Sequence, residues 1–225
     1  MNFTFGITTY DGFHVEQVIR SIENLKIPKK KYEIIVIGGL EEEVKYKRET
    51  WKEISNNLTC INFDEEIKPG WFTKKKNIIT DSSKFENIVY SHDYIIYDEN
   101  WYSEFEKFGD QWDVCMNTIK NNDGTRYRDW CAWDDPKLCY KNNRHVVKLV
   151  PYFYNNIENM YISGAYWVAK KEFMKKYPLD ENLLMNQSED VEWSKRWRKD
   201  KVEYAMNQNS IVNLLKQKRL SAFPA

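Results

Sequence analysis

The chain has 225 residues, with 34 Lys or Arg and 34 Asp or Glu, so its formal charge is zero. A neutral chain has no general positive field to attract nucleic acid or an anionic membrane, which argues against proteins that bind either through overall basic charge. The length is ample for a sizeable core. Aromatic residues make up 16% of the chain, a content that predicts a globular protein with wide, ring-lined surfaces.

Local basic stretches remain at Lys29–Lys31, at Lys74–Lys76 and in the segment KQKRL at residues 216–220. The N-terminus lacks the basic-then-apolar pattern of a signal peptide. No stretch approaches the roughly 20 apolar residues that a membrane span needs. We therefore expect a soluble, cytoplasmic protein. Its four cysteines show no CxxC spacing, and the simplest expectation is reduced thiols.

The first half of the chain alternates strand and helix patterns. FTFGITTY (residues 3–10) and YEIIVIGG (32–39) are typical of buried strands, and helical apolar spacing from Val15 to Leu25 lies between them. A charged helix, the strand LTCINF, a short helix at residues 71–83 and a fourth strand ending near Ser91 follow. Alternation of this kind predicts parallel strands with helices on the sheet faces.

After Trp112 the pattern changes. A fifth strand covers DVCMNTI, residues 120–160 are irregular, and a strand passes into a helix around Gly164. Residues 188–200 predict a helix, and residues 202–215 predict a last strand or two. We expect a single α/β domain over residues 1–225, with a nucleotide-binding half at 1–112 and a more variable half at 113–225.

In open parallel sheets, ligands bind beyond the carboxyl ends of the strands. The residues expected there are Thr8, Thr9, Tyr10, Gly38, Gly39, Asp64, Glu65, Ser91, His92 and Asp93. Asp93, helped by His92, could bridge Mg²⁺ or Mn²⁺ to a diphosphate, because hard oxygen ligands suit these ions. The alternative is that Asp93 caps a turn and His92 is a partly buried ring.

Glu189 and Asp190 fall at the start of a helix, where the macrodipole stabilises negative charge. This makes Asp190 a candidate catalytic residue. Acidic residues are favoured in first helical turns in any case, so a structural role is the alternative.

The irregular stretch at residues 123–136 holds Asp129, Trp130 and Trp133. Aromatic faces and carboxylates together suit the recognition of sugar rings. The alternative is that both tryptophans anchor a long loop to the core. Cys131, Cys139 and His145 match no compact zinc spacing.

Taken in order, these segments resemble the GT-A fold glycosyltransferases, closest to the family 2-like inverting enzymes. The resemblance runs from about residue 3 to residue 200. FTFGITTY is similar to the opening strand, EIIVIGG to the second strand, and KKKNIITDSSKFENIVYSHDY to the family's basic-Asn helix and the strand ending in its DxD metal signature. ISGAYWVAKKEF is similar to the segment beside the donor sugar, and DENLLMNQSEDVEWSKRW to the acceptor-side acidic motif.

The resemblance implies a role for each matched residue. Asp93 takes the last aspartate of the DxD triplet, and Asp190 takes the general base, with Glu189 shaping the acceptor pocket. Lys76 and Asn77 lie near the nucleotide, and Thr8 and Tyr10 contact its base and ribose. Gly164 lies beside the donor sugar, in the segment that passes from strand to helix.

Three departures stand out. Ser91 replaces the first aspartate of the signature, Gly38–Gly39 replace the usual acidic pair, with Asp64 or Glu65 as substitutes, and Asn213 lies where related folds have a late histidine. The resemblance implies transfer of a sugar from a nucleoside diphosphate of the UDP or GDP type to a saccharide or glycoconjugate hydroxyl. Two alternatives stay open: a catalytically silent sugar-nucleotide-binding protein and a nucleotidyltransferase. The latter predicts a glycine-rich basic loop after the first strand, where ITTYDGF stands.

Overall fold

The computed structural model describes residues 1–39, 42–133, 135–138, 147–154, 158–183 and 187–218. Within these ranges the chain forms the following elements: β1 (Phe3–Thr8), α1 (Val15–Glu23), β2 (Tyr32–Gly38), α2 (Glu42–Ile54), β3 (Leu58–Asn62), α3 (Phe72–Ser82), β4 (Asn87–His92), β5 (Ile95–Tyr97), α4 (Trp101–Phe108), β6 (Val114–Lys120), β7 (Cys131–Trp133), β8 (Val147–Leu149), β9 (Met160–Tyr161), β10 (Tyr166–Lys170), α5 (Lys171–Lys176), α6 (Glu189–Arg198) and β11 (Ala205–Leu214).

The main sheet of the described residues has eight strands in the order β3-β2-β1-β4-β10-β6-β11-β5. Strands β10 and β5 run antiparallel to their neighbours, and the other strands share one direction. This confirms the predicted α/β fold with a mostly parallel sheet. A smaller antiparallel sheet, in the order β8-β7-β9, is built from the second half of the chain.

Strand β1 shows how the two sheet faces are packed, because successive side chains of a strand point to opposite faces. Phe3 and Phe5 face α4, with their ring centroids 5.0 and 5.3 Å from that of Trp101. Gly6 faces α3 instead. A Cβ at Gly6 would lie only 2.4 Å from Cγ2 of Ile79, so the missing side chain lets this helix approach the sheet.

The predicted alternation of strands and helices through the fourth strand is confirmed. Several features differ from the sequence prediction. Strands β7 and β8 lie within residues 120–160, which were expected to be irregular. Strand β5 and helix α4 were not predicted, and Gly164 lies in the turn that precedes β10, so that the helix begins only at Lys171. The last segment forms one strand, with an irregularity between Asn207 and Ile211.

Cys60, Cys115 and Cys131 are free thiols. Cys139 and His145, considered above for zinc, lie outside the described residues. Among the helices in the described ranges, none combines the length and apolar character needed to cross a membrane.

We predict that Gly6→Ala lowers the free energy of unfolding by about 1–3 kcal/mol, because the added methyl group overpacks the contact with Ile79. In an Ile79→Ala background the same substitution should cost less, since the conflicting atoms are gone. A double-mutant cycle measured by chemical denaturation checks this coupling. Equal costs in both backgrounds would show that the contact does not limit residue 6.

Candidate functional site

Two adjoining cavities open at the sheet edge where β1 and β4 end. The smaller, of about 230 Å³, is lined by residues that include Thr8, Thr9, Tyr10 and Asp93. The larger, of about 550 Å³, is lined by residues that include Gly164, Glu189 and Asp190. The residues common to both linings are Phe72, His92 and Tyr94. The structure therefore places the two predicted acidic positions, Asp93 and Asp190, in neighbouring chambers of one cleft.

Asp93 is held by the end of β1. Its backbone N–H donates to Thr8 O at 3.2 Å, and its Oδ2 accepts from the Thr9 hydroxyl at 2.6 Å. The Thr9 hydroxyl in turn accepts from Gly12 N–H at 2.8 Å. Burial raises the pKa of Asp93, and the bond from Thr9 opposes this shift. Asp93 thus lies in a turn, as the alternative reading proposed, and its carboxylate also faces the smaller cavity.

His92 and Ser91 point in different directions. The imidazole of His92 lies between Phe72 and Tyr94, with centroid distances of 4.5 and 5.3 Å, and its Nδ1 is 3.4 Å from the Thr8 hydroxyl. Burial lowers the pKa of His92 well below its ordinary value, so the ring is neutral. Ser91 is buried, with Oγ 3.4 Å from Gly6 O, and it lines neither cavity.

Asp190 lies in the first turn of α6, at the wall of the larger cavity. Its Oδ2 accepts from Gly164 N–H at 2.8 Å, and its Oδ1 accepts from Val191 N–H at 2.9 Å. Burial, followed by repulsion from Glu189, raises its pKa to about 6, although both N–H groups and Lys76 favour the charged form. A carboxylate with this pKa is suited to accept a proton near neutral pH.

The fully buried Lys76 contacts both Gly164 and Glu189. Its ammonium donates to Gly164 O at 2.8 Å, lies 3.9 Å from Oε1 of Glu189, and sits 4.4 Å from the ring centroid of Trp167. Gly164 leaves little space here, since a Cβ at that position would lie 3.1 Å from Oδ2 of Asp190. Lys76, which the resemblance placed at the nucleotide, is enclosed beneath Glu189 and Asp190, the acidic pair at the start of α6.

Backbone strain accompanies the acidic pair. Ser188, immediately before α6, has a φ of 56°, and Arg128, across the same cavity, has a φ of 37°. Left-handed conformations of non-glycine residues cost roughly 1–2 kcal/mol and concentrate at functional sites. The αL turn at Ser188 sets the position at which Glu189 and Asp190 enter the helix.

Of the three predicted acceptor residues, one lines the larger cavity. Trp133 lies in its wall, as do Tyr127 and Tyr161. Trp130 is buried, with its indole N–H donating to Tyr154 O at 2.9 Å. Asp129 is fully buried and accepts hydrogen bonds within the chain, from the groups Arg126 Nη2 at 2.6 Å, Tyr152 Oη at 2.7 Å and Ile119 N at 3.3 Å.

Three other predicted residues lie outside both cavity walls. Asn77 donates to Leu179 O at 2.9 Å, Asp64 accepts from Glu66 N–H at 2.9 Å, and Gly38 packs against Thr9, where a Cβ would lie 2.5 Å from Thr9 O. They shape the surroundings of the cleft.

Sequence reasoning missed several wall residues, among them Phe72, Tyr94, Tyr127, Arg128, Tyr161, Lys216 and Lys218. From the sequence, the segment at 216–220 is identified only as a local basic stretch. Its position directly after a strand that ends at the ligand-binding edge was the signal that could have placed it at the site.

No protein-family model and no curated protein sequence matches the chain. Solved structures do match. A TarS fragment (residues 1–349) from S. aureus shares 16% identity with a TM-score of 0.64, covering 96% of this chain and 59% of that one. GalNAc-T7 with UDP, GalNAc and Mn²⁺ shares 15% with a TM-score of 0.68, covering 95% and 44%.

A mannosyltransferase from Pyrobaculum calidifontis, in complex with GDP-Man and Mn²⁺, shares 12% identity with a TM-score of 0.65, covering 97% of this chain and 58% of that one. The chain therefore spans about half the length of these structures. At such low identity the similarity establishes the fold, and the predicted GT-A fold is confirmed.

We predict that Lys76→Met raises the pKa of Asp190 further above about 6, because it removes a buried positive charge that favours the carboxylate. A carboxyl-carbon NMR titration of labelled aspartate measures the shift. Lys74→Met is the matched control, since Lys74 lies on the same helix but pairs with Glu181 at 2.8 Å. An unchanged Asp190 pKa in a folded Lys76→Met protein would contradict the assigned contact.

Proposed function

We propose that this chain is a glycosyltransferase that moves a sugar from a nucleoside diphosphate to a hydroxyl acceptor, with Asp190 as the general base. The observation that carries the proposal is Asp190 itself: a half-buried carboxylate in the wall of the larger cavity, fixed by Gly164 N–H at 2.8 Å and with a pKa raised to about 6. The cavity beside it opens from the carboxyl ends of β1 and β4, where open α/β sheets bind nucleotides.

The donor nucleotide is assigned to the smaller cavity. Its wall contains Thr8, Thr9 and Tyr10 from the end of β1, and it includes the exposed rings of Tyr10 and Phe13 at its mouth. Exposed aromatic rings at a cavity mouth suit stacking on a planar base. From this position the diphosphate reaches the wall at Phe72, His92 and Tyr94, and the sugar enters the larger cavity.

A divalent cation fits this donor position. Among the described residues, no cluster of three or more His, Cys, Asp or Glu side chains could hold a metal alone. Mg²⁺ sites commonly use one or two carboxylates together with substrate phosphates, and Asp93 supplies one such carboxylate at the cavity wall. His92, neutral and beside it, is the second candidate ligand. When bound, Mg²⁺ or Mn²⁺ would neutralise charge on the diphosphate.

The chemistry assigned to Asp190 is proton removal during a single displacement. The acceptor hydroxyl oxygen forms a bond to the anomeric carbon, the bond from that carbon to the diphosphate oxygen breaks, and its electron pair leaves with the diphosphate. The hydroxyl proton passes to the Asp190 carboxylate. One base on the face opposite the leaving group suffices, which favours inversion at the anomeric carbon.

The acceptor is assigned to the larger cavity. Tyr127, Trp133 and Tyr161 give it an aromatic wall, and aromatic faces suit the apolar side of a saccharide ring. Glu189, which lines the same cavity, is available to accept hydrogen bonds from sugar hydroxyls. These features favour a saccharide or glycoconjugate as the acceptor class.

A catalytically silent sugar-nucleotide-binding protein of the same fold is the second candidate, favoured by Ser91 in place of the first signature aspartate. It differs from the transferase in one outcome: the bound donor would remain intact. A nucleotidyltransferase has less support, because the loop after β1 contains a single glycine, Gly12, and no Lys or Arg.

We predict that UDP or GDP stabilises the folded protein and so raises its thermal midpoint. At a hundredfold excess of nucleotide over the dissociation constant, the stabilisation should be about 2.7 kcal/mol. Asp93→Asn should reduce the additional shift that Mn²⁺ produces. Asp64→Asn is the control, because Asp64 lies at the same sheet edge but outside both cavities. Absence of any shift with either nucleotide, with or without Mn²⁺, would refute the donor assignment.

We predict that Asp190→Asn lowers sugar transfer by about 10²–10⁴-fold, the usual contribution of a general base, while nucleotide binding persists. Activity of the unaltered protein should rise with pH through about 6, since the base acts only when ionised and is protonated below its pKa. Release of nucleoside diphosphate from UDP- and GDP-sugars, with saccharide acceptors present, measures both effects.

Glu192→Gln serves as the matched control for Asp190→Asn. Glu192 lies on the same helix and pairs with Arg196 at 2.7 Å, outside the cavity. If the unaltered protein binds a donor and leaves it intact with every acceptor, the silent binding protein is the correct reading. If Asp190→Asn and Glu192→Gln reduce transfer equally, Asp190 is not the base.

A further inference from the structure

Two lysines from the segment after β11 meet where the two cavities adjoin. Lys216 lines the smaller cavity, and Lys218 lines the larger one. Both ammonium nitrogens lie 4.0 Å from the ring centroid of Tyr94, which lines both cavities, and Lys218 also hydrogen-bonds the Tyr94 hydroxyl. Both positive charges therefore lie against one aromatic ring within the cleft.

The Asp93 carboxylate offsets these charges in part, since it favours the charged form of Lys218 and is itself favoured in its charged form by Lys216. In the part of the chain that the structure describes, neither lysine forms an ion pair with a carboxylate. Burial and the neighbouring Lys216 lower the pKa of Lys218 to about 8. Since two like charges repel one another, an anion placed between them would be stabilised.

Hydrogen bonds to three residues elsewhere in the chain hold the segment that carries the lysines. Leu215 N–H donates to Tyr94 O at 2.9 Å, and Lys218 N–H donates to Oδ1 of Asn121, also at 2.9 Å. Between the lysines, Gln217 turns away and donates to Oδ2 of Asp123 at 2.8 Å. Lys216 and Lys218 both reach the cleft, each in the wall of one cavity.

We propose that Lys216 and Lys218 bind the two phosphates of the nucleoside-diphosphate donor, so that this chain holds the nucleotide even without a divalent cation. The inference rests on the proposed function and adds residues to it. Lysine binds phosphate as a point charge. Asp93 offers only one carboxylate for a cation, whereas the two ammonium groups lie at the wall that the diphosphate must pass. As the anomeric bond breaks, they stabilise the charge gained by the leaving diphosphate.

The test is calorimetric binding of UDP, UMP, GDP and GMP in EDTA, with the unaltered protein and Lys216→Gln/Lys218→Gln. The unaltered protein should bind one nucleoside diphosphate at least about tenfold tighter than its monophosphate, as expected from added charge-assisted contacts. The double variant should lose most of this preference, because its affinity for the diphosphate should fall further than its affinity for the monophosphate, which presents only one phosphate to the lysines. Lys30→Gln/Lys52→Gln, which removes the same charge from exposed positions outside both cavities, should behave as the unaltered protein.

Each contrary result has a distinct meaning. If the diphosphate binds only with Mn²⁺ and the double variant binds it equally well, the lysine proposal is overturned and the proposed function stands. If the double variant loses affinity for monophosphate and diphosphate by the same factor, the lysines do not recognise the second phosphate and the proposal fails. If no nucleotide binds the unaltered protein with or without Mn²⁺, the proposed function fails and the lysine proposal fails with it.

Discussion

The cleft depends on the burial of one ammonium group, that of Lys76. Removing this charge from water is costly, and the cost is offset only where good partners surround it. Here the partners are the Gly164 carbonyl at 2.8 Å, the Glu189 carboxylate and the face of Trp167. Because Gly164 also donates its N–H to Asp190, the same contact joins α3, the turn before β10 and the start of α6. Three segments distant in sequence therefore hold the acidic pair in one position.

The run of three lysines on α3 shows why a charge pattern alone says little about function. A helix turns about 100° per residue, so consecutive side chains point in three directions. Lys74 pairs with Glu181, Lys75 is buried against Glu65 and donates to Thr9 O at 2.8 Å, and Lys76 supports the acidic pair. A segment that resembled a basic surface patch thus forms internal connections. The lysines after β11, by contrast, form no ion pair with a carboxylate in the described chain, and both line the cavities.

Much of the fold could be predicted, because strand and helix periodicity is a local property. The short strand β5 was missed for the opposite reason: it pairs with β11, from Val212 to Leu214, more than a hundred residues later. Asp93 and Asp190 could be found because each follows a recognisable element. Trp130 and Trp133 could not be told apart, since they lie three residues apart in irregular chain and the pairing of β7 with β8 and β9 decides which one faces the cleft.

Ser91 stands where the GT-A signature has its first aspartate, and this difference bears on the charges in the cleft. Its hydroxyl lies within 3.4 Å of Gly6 O and accepts from the Tyr97 hydroxyl at 3.3 Å, so residue 91 faces the core. An aspartate there would put a carboxylate against a carbonyl oxygen, with a large desolvation cost and no cation in reach among these contacts. Position 91 is therefore structural, and of the two signature aspartate positions only residue 93 has a carboxylate at the cavity wall. Under the proposed function, Lys216 and Lys218 at the cavity walls would supply part of the positive charge for a diphosphate.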